Sequence, residues 1–383
     1  MVTAIGIDPG TKSMDVFGFD DDTEEVIMDL AIPRVEVTKN PAIVLDAIRE
    51  LGMEIDVIVG PSGYGLPMVK ASEAADAEIN AATFITEADV ARRLNIVGLR
   101  ELMFLMKKSN LNVWFPPGVI HLPTVPEYRK INKIDLGTAD KVFTAVSGIR
   151  DQAERYGIEY SEASFIALEI GFGYTAAMGI ENGRIVDGVG GTMGGVGYMG
   201  MGAVDGELAY ALANTVTDFS KMMLFDGGAA AISNINPQQV SIEEFVNRAR
   251  QDPEQHVKLA YSAMLESIIK DTYLMLSSVR KPKEILLSGR FTRIEPFVQD
   301  VTAVLRDHLQ GLGIEAGIRT LTRTGGEVKE AAEGAALIAN GIAGGKYENL
   351  IENMELRKSS GGVFSHIYMN KEVRERIEET FTR

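Results

Sequence analysis

Asp8 closes an apolar run and is followed at once by Pro9, Gly10, Thr11, Lys12 and Ser13, inside the stretch "AIGIDPGTKSMDVFGFDDD" at residues 4 to 22. A tight turn with a glycine and two hydroxyl residues offers backbone N–H groups to an anion, and Lys12 adds a point charge. Asp8, at the end of an apolar strand, is placed to hold Mg²⁺ directly or through water. The segment is not a Walker A loop, because the polar turn leads into an alternating strand rather than a helix. Three chemistries fit the stretch alone: a phosphate-binding turn, a nuclease strand carrying one catalytic carboxylate, or a surface hairpin.

Further along, "LEIGFGYT" at 168 to 175 has the same design. Gly171 and Gly173 let the backbone approach a ligand, Tyr174 and Thr175 follow, and Glu169 joins Asp8 as an expected metal-side carboxylate. "LLSGRF" at 286 to 291 puts Ser288, Gly289 and Arg290 at a strand end before a helix, where nucleotides are often held. The loop at 188 to 207 has nine glycines, more backbone freedom than a hairpin needs. A segment that approaches a ligand, or moves, explains it better than a linker. In "DLGTADK", Thr138 and Asp140 sit at a helix start beside Lys141; an acid there is favoured by the helix dipole and also suits a general base. Ser62, Gly63 and Tyr64, in the loop "PSGYGLP", join Thr138, Gly194, Gly195 and Gly197 as the expected substrate side. His121, His256, His308 and His366 are scattered, which gives a histidine metal site or a serine triad no support.

The elements that must position these residues alternate. Residues 2 to 8, 14 to 20 and 24 to 32 read as a strand meander, 40 to 52 as a helix with a Gly stop, and 55 to 60 as a buried parallel strand. Residues 85 to 109 and 138 to 157 read as helices. The order then restarts with an apolar strand at 163 to 171 and two strands around Asn182-Gly183. Helices over roughly 241 to 281, a strand at 283 to 289 and an Ala-rich helix at 327 to 345 follow. The economical reading is two α/β domains on mixed sheets, 1–162 and 163–345, with a tail at 346–383 that ends in a charged amphipathic helix packing back.

Bulk properties narrow the classes. The chain of 383 residues is long enough for two cored domains. A net charge of -16 repels a phosphate backbone, so no nucleic-acid partner is expected. The absence of Cys excludes disulfides and thiolate zinc sites. No membrane span and no signal peptide are legible, which makes the cytoplasm the expected location.

Taken together, these segments resemble the acetate and sugar kinase/Hsp70/actin superfamily, whose two RNase H-like domains close over ATP. "GIDPGTKSMDVFGFD" resembles its first phosphate loop, "IALEIGFGYTAAMGIENGRI" the second, "EILLSGRFTRIEPF" the adenosine motif and "EVKEAAEGAALIANGI" the second connecting helix. Within that superfamily the chain is most similar to acetate and butyrate kinases, and to an archaeal family labelled "predicted butyrate kinase". The resemblance implies an actin-like ATPase fold, ATP and Mg²⁺ as cofactors, a small-molecule acceptor in the interdomain cleft, and a homodimer. It makes Asp8, Lys12 and Asp140 the catalytic candidates, and it places Gly10 to Ser13, Gly171 to Thr175 and Ser288 to Arg290 on the nucleotide.

The chain departs from the kinases in three places. Their Asn-Ala-Gly-Ser-Ser start becomes Asp8-Pro9-Gly10-Thr11-Lys12, and the His and Arg groups that neutralise a carboxylate acceptor are not matched. Lys12, Lys141 and Arg290 are the cations left for that work. An ATP-dependent kinase therefore ranks first, with a short-chain carboxylate such as butyrate among its acceptors. A nucleotide-dependent switch ranks second, and a Holliday-junction-type nuclease, which also begins "GIDPG", third.

Overall fold

The structure is a computed structural model that describes residues 1–92, 94, 96–217, 219–251 and 254–383. Its first sheet grows outward from β1 (Thr3–Pro9), whose residues are almost all buried, as a strand covered on both faces must be. The polar turn after Asp8 folds β2 (Ser13–Asp20) back antiparallel, in a register that sets Asp8 opposite Asp15. β3 (Val26–Pro33) completes the meander with alternating burial, as an edge strand should. On the other side of β1 lie the parallel strands β4 (Val57–Val59) and β6 (Val113–Phe115), then the short β5 (Val69–Lys70). The order is β3-β2-β1-β4-β6-β5.

The second sheet repeats the plan with β7 (Phe165–Ile170), β8 (Thr175–Glu181), β9 (Arg184–Val189), β10 (Glu284–Ser288) and β11 (Gly317–Thr320), in the order β11-β10-β7-β8-β9. β7, β10 and β11 run parallel. Asn182 and Gly183 both have positive φ, at 53° and 64°, the geometry that an Asn-Gly hairpin turn requires. The architecture is thus mixed α/β with two sheets, as the sequence leads one to expect.

Packing divides the chain into two units. One comprises Met1–Ala163, Ile180–Asp187 and Leu321–Arg383; the other comprises Ser164–Gly179 and Gly188–Thr320. The expected 163–345 domain is therefore not one contiguous body. Its Ala-rich helix, Glu330–Ile342, belongs to the first unit, as does the tip of the β8–β9 hairpin. Thr124 Oγ1 donates to the Ile185 carbonyl at 2.6 Å, and Arg129 pairs with Asp187 at 3.6 Å. At the C-terminus the helix Lys371–Thr382 stacks Phe381 on Phe84, with ring centroids 4.1 Å apart.

Every residue of the helix Glu330–Ile342 from Glu330 to Gly341 is buried. It lies against β1 and against the helix Ala139–Tyr156, and both contacts are close because small residues face them. A Cβ on Gly6 would run into the Ala336 backbone N, and one on Gly334 into the Phe143 carbonyl. Ser147 Oγ donates to the Glu330 carbonyl at 2.8 Å and ties the two helices at this end. In the second unit, the rings of Phe172, Phe245 and Phe291 surround Tyr198 at 5.3 to 5.4 Å.

Gly6→Ala should therefore cost about 3 kcal/mol or more, because overpacking a rigid backbone contact cannot be relieved by a rotamer change. Gly311→Ala, at a helix end with open space around it, should be neutral within about 0.5 kcal/mol. Urea denaturation of both variants checks the contrast, and equal losses would contradict it.

Candidate functional site

Four of the expected first-turn residues sit between β1 and β2. Gly10, Thr11 and Lys12 make the turn and Ser13 opens β2, with Thr11 and Lys12 exposed and Ser13 buried. Ser13 Oγ donates to Asp15 at 2.5 Å, and the Lys12 carbonyl accepts from the Arg34 N–H at 2.9 Å. Asp8 has no solvent exposure. Its carboxylate forms an ion pair with the ammonium of Lys329, the residue that precedes the helix Glu330–Ile342. The Lys329 N–H donates to Asp15 at 3.1 Å. Burial pulls the Arg34 guanidinium down to about 10, while the nearby Asp8 carboxylate pulls it up.

Asp140 belongs to the same unit and feels Lys329. Burial opposes its charge, but Lys141 at 2.6 Å, the Thr138 hydroxyl at 2.5 Å and the more distant Lys329 outweigh it and hold the carboxyl below its usual range. The Ala139 N–H donates to the Gly63 carbonyl at 2.9 Å, which brings the 62–65 loop beside this helix start. Ser62 and Tyr64 brace that loop. The buried Ser62 hydroxyl donates to the Pro116 carbonyl at 2.8 Å, and the Tyr64 ring packs edge-on against Phe84. The first unit thus assembles three carboxylates, Asp8, Asp15 and Asp140, with three cations, Arg34, Lys141 and Lys329.

The second unit gathers the remaining expected residues around the C-terminal ends of β7 and β10, where Glu169 and Ser288 are register partners. Both are buried, and Ser288 Oγ has no hydrogen-bond partner among the described residues. Gly289 has φ +91°, and a Cβ there would stand 2.6 Å from the Ile170 carbonyl, so the turn into Arg290 requires glycine. Gly171 N–H closes the next turn onto the Tyr174 carbonyl at 2.9 Å. The Gly-rich loop folds over it, with the N–H groups of Met199 and Gly200 donating to the Gly173 carbonyl at 3.1 and 2.8 Å. Thr175 is buried at the start of β8. Gly197 lies where a Cβ would stand 2.9 Å from the Tyr174 Cα.

Sequence reasoning missed two features. The first is the convergence of Lys329 and Arg34 on Asp8; the available signal was that Lys329 is the only cation between Arg323 and Lys346. The second is the clamp on the Gly-rich loop. Asp271, in the helix Gln255–Leu276, accepts from the Gly195 N–H at 3.2 Å, and Ser267 Oγ accepts from the Val196 N–H at 2.8 Å. A Cβ on Gly194 would stand 2.9 Å from the Asp271 carboxylate. Burial pushes the Asp271 carboxyl up to about 7, with the Gly195 N–H pulling the other way.

A divalent cation does not fit on Asp8 as the site stands. Placed about 4 Å from the Lys329 ammonium, it would meet a repulsion of roughly 8 kcal/mol at an effective dielectric near 20, which the ammonium's own pairing with Asp8 does not incur. Among the described residues, no group of three or more His, Asp and Glu side chains is placed to hold a metal ion. Magnesium carried by a triphosphate would arrive as part of the substrate. Among the described residues, no helix is long and apolar enough to cross a membrane.

Comparison with solved structures places this geometry in a known fold. A propionate kinase from Francisella tularensis subsp. tularensis superimposes with a TM-score of 0.58 at 14% identity, covering 88% of this chain and 98% of its own. An acetate kinase from Entamoeba histolytica gives 0.56 at 13%, covering 85% and 94%, and one from Porphyromonas gingivalis 0.55 at 13%, covering 88% and 98%. At these identities the likeness establishes the actin-like ATPase fold and nothing finer. A search of curated proteins returns no match. A sequence-family model described as "Protein of unknown function (DUF1464)" matches residues 6–369.

Asp271 makes the stability of the fold depend on pH. A carboxyl whose folded pKa is raised stabilises the fold fully below its unfolded pKa, and that contribution is lost as pH rises through about 7. Asp271→Asn should therefore gain stability relative to the parent between pH 5 and pH 8, with the gain nearly complete just above pH 7. Denaturant midpoints at the two pH values check this, and a pH-independent difference would contradict it.

Proposed function

We propose that this chain, which belongs to the DUF1464 family, is an ATP-dependent phosphotransferase that passes the γ-phosphoryl group to a small acceptor. The observation that carries the reading is the charge cluster of the first unit. Three cations and three carboxylates are gathered there at the end of β1 and the start of the helix Ala139–Tyr156, in an actin-like ATPase fold. Phosphoryl transfer asks a protein for little covalent chemistry and much positioning and charge stabilisation.

In this reading the turns at 171–175 and 288–290 and the Gly-rich loop are the second unit's own candidate contacts to a nucleotide. Gly10 to Ser13 present backbone N–H groups to phosphate. Asp140 is the general base: its carboxyl is held ionised, and the Thr138 hydroxyl and Lys141 fix its orientation. The bond from the γ-phosphorus to the ADP oxygen breaks, a bond to the acceptor oxygen forms, and the acceptor's proton passes to Asp140. A base poised in this way suits a hydroxyl acceptor, a polyol or sugar. A short-chain carboxylate such as butyrate is the second reading; that acceptor would need no base. Lys12, exposed on the turn, is the remaining catalytic candidate from the sequence.

ADP release measured with ATP·Mg²⁺ against short-chain acids, polyols and sugars tests the proposal. The expected result is stimulation by at least one acceptor, together with a fall of about 10² to 10⁴ in that rate for Asp140→Asn if the acceptor is a hydroxyl. Slow hydrolysis that no acceptor stimulates would overturn it in favour of a nucleotide-dependent switch. An unchanged rate in Asp140→Asn with a carboxylate acceptor would remove the base and keep the kinase.

A further inference from the structure

Lys329 stands where the local rules of helices disfavour it. It occupies the N-cap of the helix Glu330–Ile342, a position that prefers Ser, Thr, Asp or Asn, and at an end where the helix dipole repels a cation. Its side chain cannot accept the N–H groups that a cap is there to satisfy. Burying an ammonium also costs free energy unless a counter-charge meets it. Lys329 is nevertheless only 7% exposed. Glu330 and Glu333 supply the acids of this helix's first turn.

The ion pair with Asp8 explains the placement from both sides. Asp8 has no solvent exposure, and the Lys329 ammonium sits on its carboxylate. The turn leaves room for it: a Cβ on Gly10 would stand 2.8 Å from Lys329 Nζ. The backbone N–H of the same lysine is pinned by Asp15, so the residue is held from two points on adjacent strands, its ammonium by Asp8 and its backbone by Asp15. Arg34 adds positive charge near Asp8, and Lys141 pairs with Asp140.

We propose that Lys329 stands on Asp8 in the place of a protein-bound divalent cation, and that its ammonium serves the phosphates of a nucleotide held at the 10–13 turn. The second half of this inference rests on the phosphotransferase reading above; the first half does not. The ammonium keeps its three protons throughout, and no bond to it is made or broken. It supplies fixed positive charge in a low-dielectric site, where such charge acts most strongly. Asp8 becomes the residue that positions the lysine.

Mn²⁺ binding by the nucleotide-free full chain, followed by the EPR signal of the free ion, separates the alternatives. The parent and the charge-neutral double variant Asp8→Asn/Lys329→Met should bind Mn²⁺ alike, while Lys329→Met alone should gain a site at least tenfold tighter. An Mn²⁺ site in the parent that the double variant lacks would overturn the proposal, and so would a folded Lys329→Met that gains none. If Lys329→Met does not fold, as circular dichroism would report, the comparison of parent with double variant still decides. ATP binding in EDTA tests the phosphate half: the parent should bind, and the double variant should lose at least tenfold. Equal ATP affinity in both would overturn the ammonium's role. A parent that binds no ATP in EDTA or with Mg²⁺ would instead sink the phosphotransferase reading, and the Mn²⁺ result would stand apart from it.

Discussion

The approach of the helix Glu330–Ile342 to β1 is the contact on which the candidate site depends. Gly6 and Ala336 let backbone meet backbone where ordinary side chains would hold them apart. That depth delivers the residue before the helix to the end of β1, where Asp8 waits. A wider spacing would leave a carboxylate and an ammonium buried without each other, the costliest arrangement of charge in a protein interior. Packing and electrostatics are therefore one constraint: small residues set the distance, and the ion pair uses it.

The second unit solves a different problem. Its loop of 188–207 is rich in glycine, yet it is not slack, because Asp271 and Ser267 grip its backbone N–H groups and its turns close onto Gly173. Glycine here serves close contact as much as freedom. An aspartate with no paired cation among the described residues is an expensive clamp, since burial disfavours its ionised form. A serine with the same backbone bond carries no such dependence on proton concentration.

What the sequence disclosed and what it concealed divide along a physical line. Turns are local, so "GIDPGTKS", "EIGFGYT" and "LLSGR" could be located from glycine, hydroxyl and apolar pattern alone, and the strand–helix order gave the two-sheet α/β plan. The Asn182-Gly183 turn was legible because few residue pairs accept two positive φ angles in a row. Lys329, Arg34 and Asp271 were not legible, because their meaning lies in partners brought to them by packing. Asp8 and Lys329 are separated by most of the chain, and no local periodicity links them. Ser62 and Tyr64 read as substrate contacts from their place at a strand end; packing, which the sequence does not show, sets the Ser62 hydroxyl on the Pro116 carbonyl and the Tyr64 ring on Phe84.

The chain passes between the two units four times, and the last passage carries a consequence for how the protein is made. The helix that completes the first sheet emerges from the ribosome only after all of Gly188–Thr320 has been synthesised. Until then the β1 face around Gly6 is a groove without its filling, and Asp8 has no ammonium beside it. Contacts of such sequence separation slow folding and lengthen the exposure of unpaired apolar surface. The nascent chain must therefore finish its second unit before its first, although it begins with the first.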